Sequence, residues 1–150
     1  MSEAAPQTTG VTHTDPETQA VLPRLRSDLL DLLQRARVPG GLAGDDPEWD
    51  ERWAVSVVLA SGGYPDSPST GDVISGLDAV PADAAEVTHA GTGSRPDGSI
   101  VTAGGRVLNV TALGDGPAAA RDAAYAAADL ITFEGRQLRR DIALRAVERT

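Results

Sequence analysis

The chain has 150 residues and a formal net charge of -9, enough for one globular domain whose charge repels nucleic-acid phosphates and anionic lipid. All 13 basic residues are arginine, which excludes every mechanism that depends on a lysine amine, including a P-loop lysine and a Schiff base. The sequence has no cysteine and no run approaching the roughly 20 apolar residues of a membrane span, so we expect a cytoplasmic protein without disulfides, thiolate chemistry or a membrane partner.

The first segment with a periodic apolar pattern is helical. Residues 1–14 are polar and lack periodicity, which predicts a disordered leader. Apolar residues then recur every three or four positions from Val21 to Ala36, the pattern of a helix that buries one stripe. Pro23 is expected to bend or restart this helix, with Ser27 as the candidate second N-cap.

An acidic stretch separates this helix from the next element. Residues 44–52 lack the ligand spacing and central glycine of a calcium loop, so a solvated linker is predicted. The run 53–60, WAVSVVLA, is Val-rich and continuously apolar. It therefore predicts a buried strand that enters a tight glycine turn at Ser61.

Further strands follow at short intervals. Shorter ones are expected at 72–76 and 85–90. The Pro-Asp-Gly chemistry within 94–99 predicts a hairpin turn, after which 100–102 runs back beside its neighbour. A second strong strand is predicted at 106–113.

The chain is predicted to end in helices. Residues 115–117 (DGP) form a helix start, and one or two more helical turns are expected within 139–147. We expect one small-residue face for close packing, formed by Ala119, Ala123, Ala127 and Leu130. The order of elements predicts an α+β domain with a compact antiparallel sheet or half-barrel.

Two glycine-rich turns are candidates for ligand binding. Glycine lets the backbone N–H groups of 61–65 (SGGYP) approach an anion closely, and the alternative is a turn needed only for chain geometry. The turn 102–106 (TAGGR) has the same alternatives and adds Arg106, whose guanidinium suits a phosphate or carboxylate. The spacing is not GxGxxG, so dinucleotide binding is not predicted.

Other polar residues carry weaker signals. His13 and His89 are the only histidines and make a poor metal site without spaced carboxylates. We interpret His89 as a hydrogen-bonded residue at a strand end, with a ligand contact as the alternative. Ser61 and Ser99 lack the context of a nucleophile. Four arginines are expected to complement a helix terminus or an acidic neighbour: Arg136, Arg139, Arg140 and Arg145.

Six strings in order resemble one family. They are 15–19 (DPETQ), 53–65 (WAVSVVLASGGYP), 71–74 (GDVI), 89–92 (HAGT), 101–114 (VTAGGRVLNVTALG), and 133–135 (FEG) followed by 140–142 (RDI). Together they resemble the C-terminal part of glycinamide ribonucleotide synthetase, the phosphoribosylamine-glycine ligase family of the ATP-grasp superfamily, over nearly the whole chain from Asp15.

The resemblance implies a division of the chain and a set of loops. Residues 15–43 resemble the helical end of an ATP-grasp domain, and 53–150 resemble the small barrel-like C-terminal domain with its flanking helices. The residues that would face the substrate cleft are Asp15, Glu17, Ser61, Gly62, Gly63, Tyr64, His89, Gly91, Thr92, Gly104, Gly105 and Arg106.

The resemblance also implies that the chain lacks the catalytic machinery. In the family, an ATP-grasp core uses ATP and magnesium to activate glycine as an acyl phosphate, which the amine of phosphoribosylamine attacks. Here residues 10–14 (GVTHT) stand where the family has its magnesium ligands, and the nucleotide-binding lysines are missing. Phosphoryl transfer depends on metal and cationic positioning. We therefore expect no catalytic residue, no metal, no bound cofactor and no ligase activity from this chain alone.

Three functional interpretations follow. The chain is a piece of a split or truncated synthetase, completed by an ATP-grasp partner chain or a homo-oligomer. Alternatively, it is a noncatalytic module that binds a ribonucleotide in a purine-related or specialised pathway, or a scaffold whose loops serve only the fold. An exposed apolar patch larger than a few hundred Å² on the first helix and the glycine-loop face would favour the first interpretation, and binding of glycinamide ribonucleotide to the isolated chain would favour the second.

Overall fold

Two antiparallel sheets form the β portion of the molecule. The computed structural model describes residues 17–44 and 46–149. Its strands are β1 (Trp53–Ala60), β2 (Glu86–His89), β3 (Thr92–Ser94), β4 (Ile100–Thr102) and β5 (Arg106–Gly114). The larger sheet has the order β1-β5-β2, and the smaller is the hairpin β3-β4.

Helices flank these sheets at both ends of the chain. They are α1 (Glu17–Val21), α2 (Leu29–Ala36), α3 (Pro117–Leu130) and α4 (Leu144–Val147). Short 3-10 helices cover Leu22–Arg24 and Leu77–Ala79. This mixture of helices and antiparallel sheets confirms the predicted class in its coarse form.

The core lies between α3 and one face of the larger sheet. Side chains alternate along a strand, so residues paired across strands share a face. Val57 lies opposite Val110, and Leu59 lies opposite Leu108. All four side chains are fully buried in the cluster that also contains Ala120, Ala124, Ala128 and Ile131 of the α3 region.

The predicted strands agree closely with the observed ones except in one segment. The two Val-rich strands, β1 and β5, are confirmed, and β3 pairs with β4 around the Pro-Asp-Gly turn as predicted. Residues 72–76 do not form a regular strand. They make two isolated bridges to different partners, Val73 to Val101 and Ser75 to Thr132.

The buried face of α3 differs from the predicted one. Its buried residues are Pro117, Ala120, Ala124, Tyr125, Ala127 and Ala128, whereas the expected face included Ala119 and Leu130, which are exposed. In an alanine-rich helix, apolar periodicity hardly distinguishes one face from the next. A close approach to β5 fixes the rotation instead, because a Cβ on Gly114 would lie 2.4 Å from the backbone nitrogen of Ala120.

The N-terminal helical region is also different from the prediction. Asp28, not Ser27, caps α2, since its carboxylate accepts a hydrogen bond from the backbone N–H of Asp31 at 3.0 Å. Ser27 instead accepts one from the N–H of Glu48 at 2.8 Å. The prediction of a buried stripe is wrong for α2, which buries no residue within the described chain. Leu30 and Leu33 are 64% and 57% exposed.

The acidic stretch before β1 is attached to the helical region. Leu25 pairs with Trp49 in an isolated antiparallel bridge, and the guanidinium of Arg24 donates two hydrogen bonds to the carbonyl of Asp50 at 3.1 and 2.9 Å. The side chain of Asp50 is nearly buried, and Arg52 Nη2 lies 2.7 Å from its Oδ2. The interpretation of 44–52 as a solvated linker therefore does not extend to Asp50.

This ion pair gives the stability of the protein a pH dependence. The hydrogen bond from Arg52 holds the pKa of Asp50 well below its usual range. Because the folded-state pKa is lowered, the contribution is complete above the unfolded-state value of about 3.9 and is lost as pH falls below it. We expect the free energy of unfolding, measured with urea, to fall less between about pH 5 and about pH 3 in Asp50→Asn than in the native protein. Asp78→Asn, at an exposed carboxylate, should keep the original slope, and equal slopes for native protein and Asp50→Asn would contradict this.

The C-terminal segment is held against α3 by a tyrosine. Helix α4 is shorter than the predicted 139–147. The hydroxyl of Tyr125 donates to the carbonyl of Arg139 at 2.6 Å and accepts from the N–H of Ile142 at 3.2 Å. Arg121 stacks on the tyrosine ring, 4.7 Å from its centroid. One buried side chain thus fixes two points of the terminal segment.

Removal of this hydroxyl should cost measurable stability. We expect Tyr125→Phe to lower the free energy of unfolding by about 1 to 2 kcal/mol, because it leaves two partly buried backbone groups without their partner. Tyr64→Phe is the matched control, since the Tyr64 hydroxyl makes no hydrogen bond with the described residues. Urea unfolding measures both, and equal losses for the two variants would count against the assigned role.

Candidate functional site

Three predicted loops meet at one end of the larger sheet. Strands β1 and β2 both run antiparallel to β5, so their carboxyl ends lie beside the beginning of β5. Residues 61–65 follow β1, residues 89–92 include the end of β2, and residues 104–106 lead into β5. We call these three segments the glycine-loop cluster.

Backbone hydrogen bonds connect the three segments directly. The N–H of Ser61 donates to the carbonyl of Gly105 at 2.9 Å, and the N–H of Gly91 donates to the carbonyl of Arg106 at 2.9 Å. Ser61 is fully buried, and its hydroxyl donates to the carbonyl of Gly104 at 3.1 Å. Ser61 therefore serves to join two loops.

Two of the glycines are required by close contacts. A Cβ on Gly91 would lie 2.6 Å from the carbonyl oxygen of Arg106 and 2.9 Å from the Cα of Gly104. A Cβ on Gly105 would lie 2.4 Å from Cδ2 of Tyr64. The Tyr64 ring therefore covers the backbone at Gly105, while the tyrosine itself is 40% exposed.

The cluster offers backbone donors that the fold does not use. Within the described residues, the N–H groups of Gly62, Gly63, Gly104 and Gly105 donate no hydrogen bond. Unpaired amides on glycine loops are suited to an anionic ligand, because no Cβ keeps the ligand away. Arg106 begins β5 at the same place and is half-buried.

His89 and Thr92 form the remaining side-chain pair of the cluster. His89 ends β2, is exposed, and places Nδ1 2.9 Å from Oγ1 of Thr92 at the start of β3. Among the residues that the structure describes, no group of three or more histidine or carboxylate side chains could hold a metal ion.

One predicted site residue, Glu17, lies away from this cluster, and the placement of a second is not described. Asp15 lies outside the described residues. Glu17 opens α1, and Ala20, about one turn later, lines a cleft with Trp53 at the beginning of β1. The cluster follows the opposite end of β1, which as an eight-residue strand is about 25 Å long.

A second surface feature lies on the first helical segment, where an exposed apolar patch was expected if a partner chain is missing. Apolar side chains remain exposed along α1, the 3-10 helix and α2: Val21, Leu22, Leu29, Leu30 and Leu33. Val21 also lines an open cleft of about 800 Å³ whose other walls include Trp49 and Trp53, which are 44% and 47% exposed. We call these seven residues the apolar helical face. Exposed apolar surfaces of this kind mark interaction sites. Among residues 17–44 and 46–149, no helix has the length and hydropathy of a transmembrane segment.

Comparison with known proteins identifies the family. Residues 54–145 match the family described as Phosphoribosylglycinamide synthetase, C domain. Two curated relatives are the phosphoribosylamine--glycine ligases of Neisseria meningitidis, 49% identical over 135 residues, and of Xanthomonas axonopodis pv. citri, 51% identical over 135 residues. Each match covers 90% of this chain and 31% of the relative.

A solved structure shows the same relationship. The phosphoribosylamine--glycine ligase of Thermotoga maritima is 33% identical, with a TM-score of 0.66, over 85% of this chain and 30% of that protein. The chain thus spans about a third of the length of the relatives that it matches. The resemblance read from the sequence motifs is confirmed, and the chain belongs to the phosphoribosylglycinamide synthetase C-domain family.

Proposed function

We propose that this chain is the C-terminal module of a phosphoribosylamine-glycine ligase and helps to close the substrate site of an ATP-grasp core. The family match across residues 54–145 carries the proposal. In it, the core binds ATP and magnesium and carries out phosphoryl transfer in the cytoplasm. This chain, which has no lysine, supplies neither catalytic group nor metal ligand and is inactive alone.

The apolar helical face is the proposed contact with the core. Its seven residues all precede the family match at 54–145, and five of them lie on the helical segment. About two thirds of the length of each relative lies outside the part that this chain matches, and that remainder is the partner whose surface would cover the face. Trp49 and Trp53, with Arg24 and Arg52 beside them, have the composition of interface hot spots. On this proposal, α1 and α2 correspond to the end of the ATP-grasp domain.

The two sheets complete a barrel-like unit in the same proposal. The N–H of Ala103 donates to the carbonyl of Gly91 at 2.7 Å, which connects the end of the hairpin to the end of the larger sheet. Ile74 donates to the carbonyl of Ile100 at 2.9 Å on the outer side of β4. These bonds support one curved unit rather than two separate sheets.

The glycine-loop cluster is the proposed contact with the ribonucleotide. Its four unpaired amides and Arg106 would receive the anionic part of phosphoribosylamine or of the product. The same observation favours a second candidate function, in which the chain binds the ribonucleotide without taking part in catalysis.

Complementation tests the main proposal. The chain would be mixed with the Neisseria meningitidis ligase lacking the part that this chain matches, and ATP-dependent formation of glycinamide ribonucleotide would be measured. We expect product only from the mixture. The matched variants are Leu30→Asp, on the apolar helical face, and Asp78→Asn, on an unrelated exposed site; only the first should abolish complementation.

Each other outcome has a defined meaning. Ligase turnover by the purified chain alone would overturn the proposal. A mixture without activity, combined with calorimetric binding of glycinamide ribonucleotide to the isolated chain, would favour the noncatalytic module. Self-association that Leu30→Asp abolishes, measured by light scattering, would assign the apolar helical face to a second copy of the chain.

A further inference from the structure

A polar network beside the glycine-loop cluster connects distant parts of the chain. Oδ2 of Asp72 accepts hydrogen bonds from the hydroxyls of Ser69 at 3.0 Å and Thr102 at 3.3 Å. The backbone N–H of Asp72 donates to Oγ1 of Thr102 at 3.0 Å. Thr102 ends β4 and is 1% exposed, so this hydroxyl anchors the network in the interior.

Backbone hydrogen bonds also connect the Asp72 region to β4 on one side and to the loop after β1 on the other. The N–H of Gly71 donates to the carbonyl of Thr102 at 2.7 Å, and the N–H of Thr102 donates to the carbonyl of Asp72 at 2.9 Å. On the loop side, the N–H of Ser69 donates to the carbonyl of Gly62 at 2.8 Å. Ser69 therefore connects the Asp72 carboxylate to the first glycine of the cluster.

The segment 62–71 is thus fixed at its two ends by different means. Ser61 attaches the beginning to the turn at 104–105 through buried hydrogen bonds. Asp72 attaches the end to β4, immediately before that same turn. Between these two attachments, the loop carries Tyr64, whose ring covers Gly105.

We propose that Asp72 is a positioning residue for the ribonucleotide: its carboxylate holds the 62–71 loop on β4 so that Tyr64 and the unpaired glycine amides keep one arrangement. The inference rests on the proposed function for its ligand. It goes beyond that function by assigning a role to a residue outside the loops that the sequence identified. Asp72 does not touch the ligand; it acts through Ser69, Thr102 and the loop between them.

The control for the test is a second aspartate whose carboxylate also accepts a hydrogen bond from a neighbouring serine hydroxyl. Asp97 accepts hydrogen bonds from the N–H and the hydroxyl of Ser99 at 2.9 and 2.7 Å, but it lies at the tip of the β3–β4 turn. Asp72→Ala and Asp97→Ala are therefore compared. Asp72→Asn, which keeps one acceptor oxygen, provides the conservative variant and a folded protein if the alanine variant fails to fold.

Hydrogen exchange on the isolated chain is the first measurement. We expect Asp72→Ala to raise the exchange rates of the Ser69 and Gly71 amides about tenfold or more, since two hydrogen bonds to a charged group are lost. Asp72→Asn should show a smaller increase, and Asp97→Ala should leave these amides unchanged. Unaltered exchange in Asp72→Ala overturns the inference, whatever the function of the protein.

Steady-state kinetics of the complemented ligase is the second measurement. We expect Asp72→Ala to raise KM for phosphoribosylamine about tenfold with little change in kcat, because ligand positioning is lost and the chemistry of the core is not. Asp72→Asn should recover part of this loss. Faster exchange with an unchanged KM overturns the role in ligand positioning, while complementation itself would still support the proposed function.

Discussion

Gly91→Ala is expected to lower the free energy of unfolding by about 3 kcal/mol. The new methyl group would lie 2.6 Å from the Arg106 carbonyl oxygen and 2.9 Å from the Gly104 Cα. Both are backbone atoms, so relief requires the separation of two loops, and such overpacking typically costs about 1 to 3 kcal/mol and occasionally more. Urea unfolding followed by circular dichroism measures the loss.

Gly104→Ala is the matched control, because it adds the same methyl group on the other side of the same contact. Its Cβ would lie 3.3 Å from the Cα of Gly91, which a shift of a few tenths of an ångström relieves. We expect a loss of about 1 kcal/mol or less. Equal losses at the two positions would mean that the close approach of the loops does not determine the cost.

Leu108→Ala is expected to lower the free energy of unfolding by about 2 to 5 kcal/mol. Leu108 is fully buried in the central strand, opposite Leu59, so truncation leaves a cavity between β5 and α3. Leu30→Ala removes the same atoms from a residue that is 64% exposed and should change stability by less than about 0.5 kcal/mol.

The two leucine variants should show the reverse order in complementation. Leu30→Ala is expected to weaken association with the ligase core, because it removes part of the apolar helical face. At a temperature where Leu108→Ala remains folded, that variant should associate normally. Isothermal titration with the core measures both, and normal association of Leu30→Ala would argue against this face as the contact.

Strand prediction succeeded where the sequence had strong apolar contrast. β1 and β5 contain several valines, glycines follow β1 at 62–63, and glycines precede β5 at 104–105, so the strand positions follow from local signals. The rotation of α3 could not be predicted from local signals, since alanine on every side of the helix gives little apolar contrast. The contact between Gly114 and Ala120 determines the rotation instead. The exposed stripe of α2 was expected only on the condition that a partner chain is missing, because amphipathicity states only that a helix has an apolar side, not whether this chain covers it.

The meeting of the three loops had a physical basis that the sequence could have provided. Two strands that are antiparallel to the same central strand must end where it begins, so turns after β1 and β2 meet the turn before β5. The motif resemblance marked those loops. One motif string, 71–74, includes Asp72, but no role was assigned to it from the sequence, because its bond to Thr102 spans 30 positions. Glu17 was associated with the loops although it lies near the other end of β1.

The lack of buried side chains in α2 has a consequence for proteolysis. A helix that contributes nothing to the core opens at a low free energy without disturbing the sheet. Trypsin should therefore cut after Arg35 or Arg37 well before any site in β5 becomes available, and the fragment that begins near β1 should survive as a resistant species. Binding of a ligase core to this helix would protect these sites. The rate of tryptic cleavage therefore measures the fraction of chain molecules that are bound to the core.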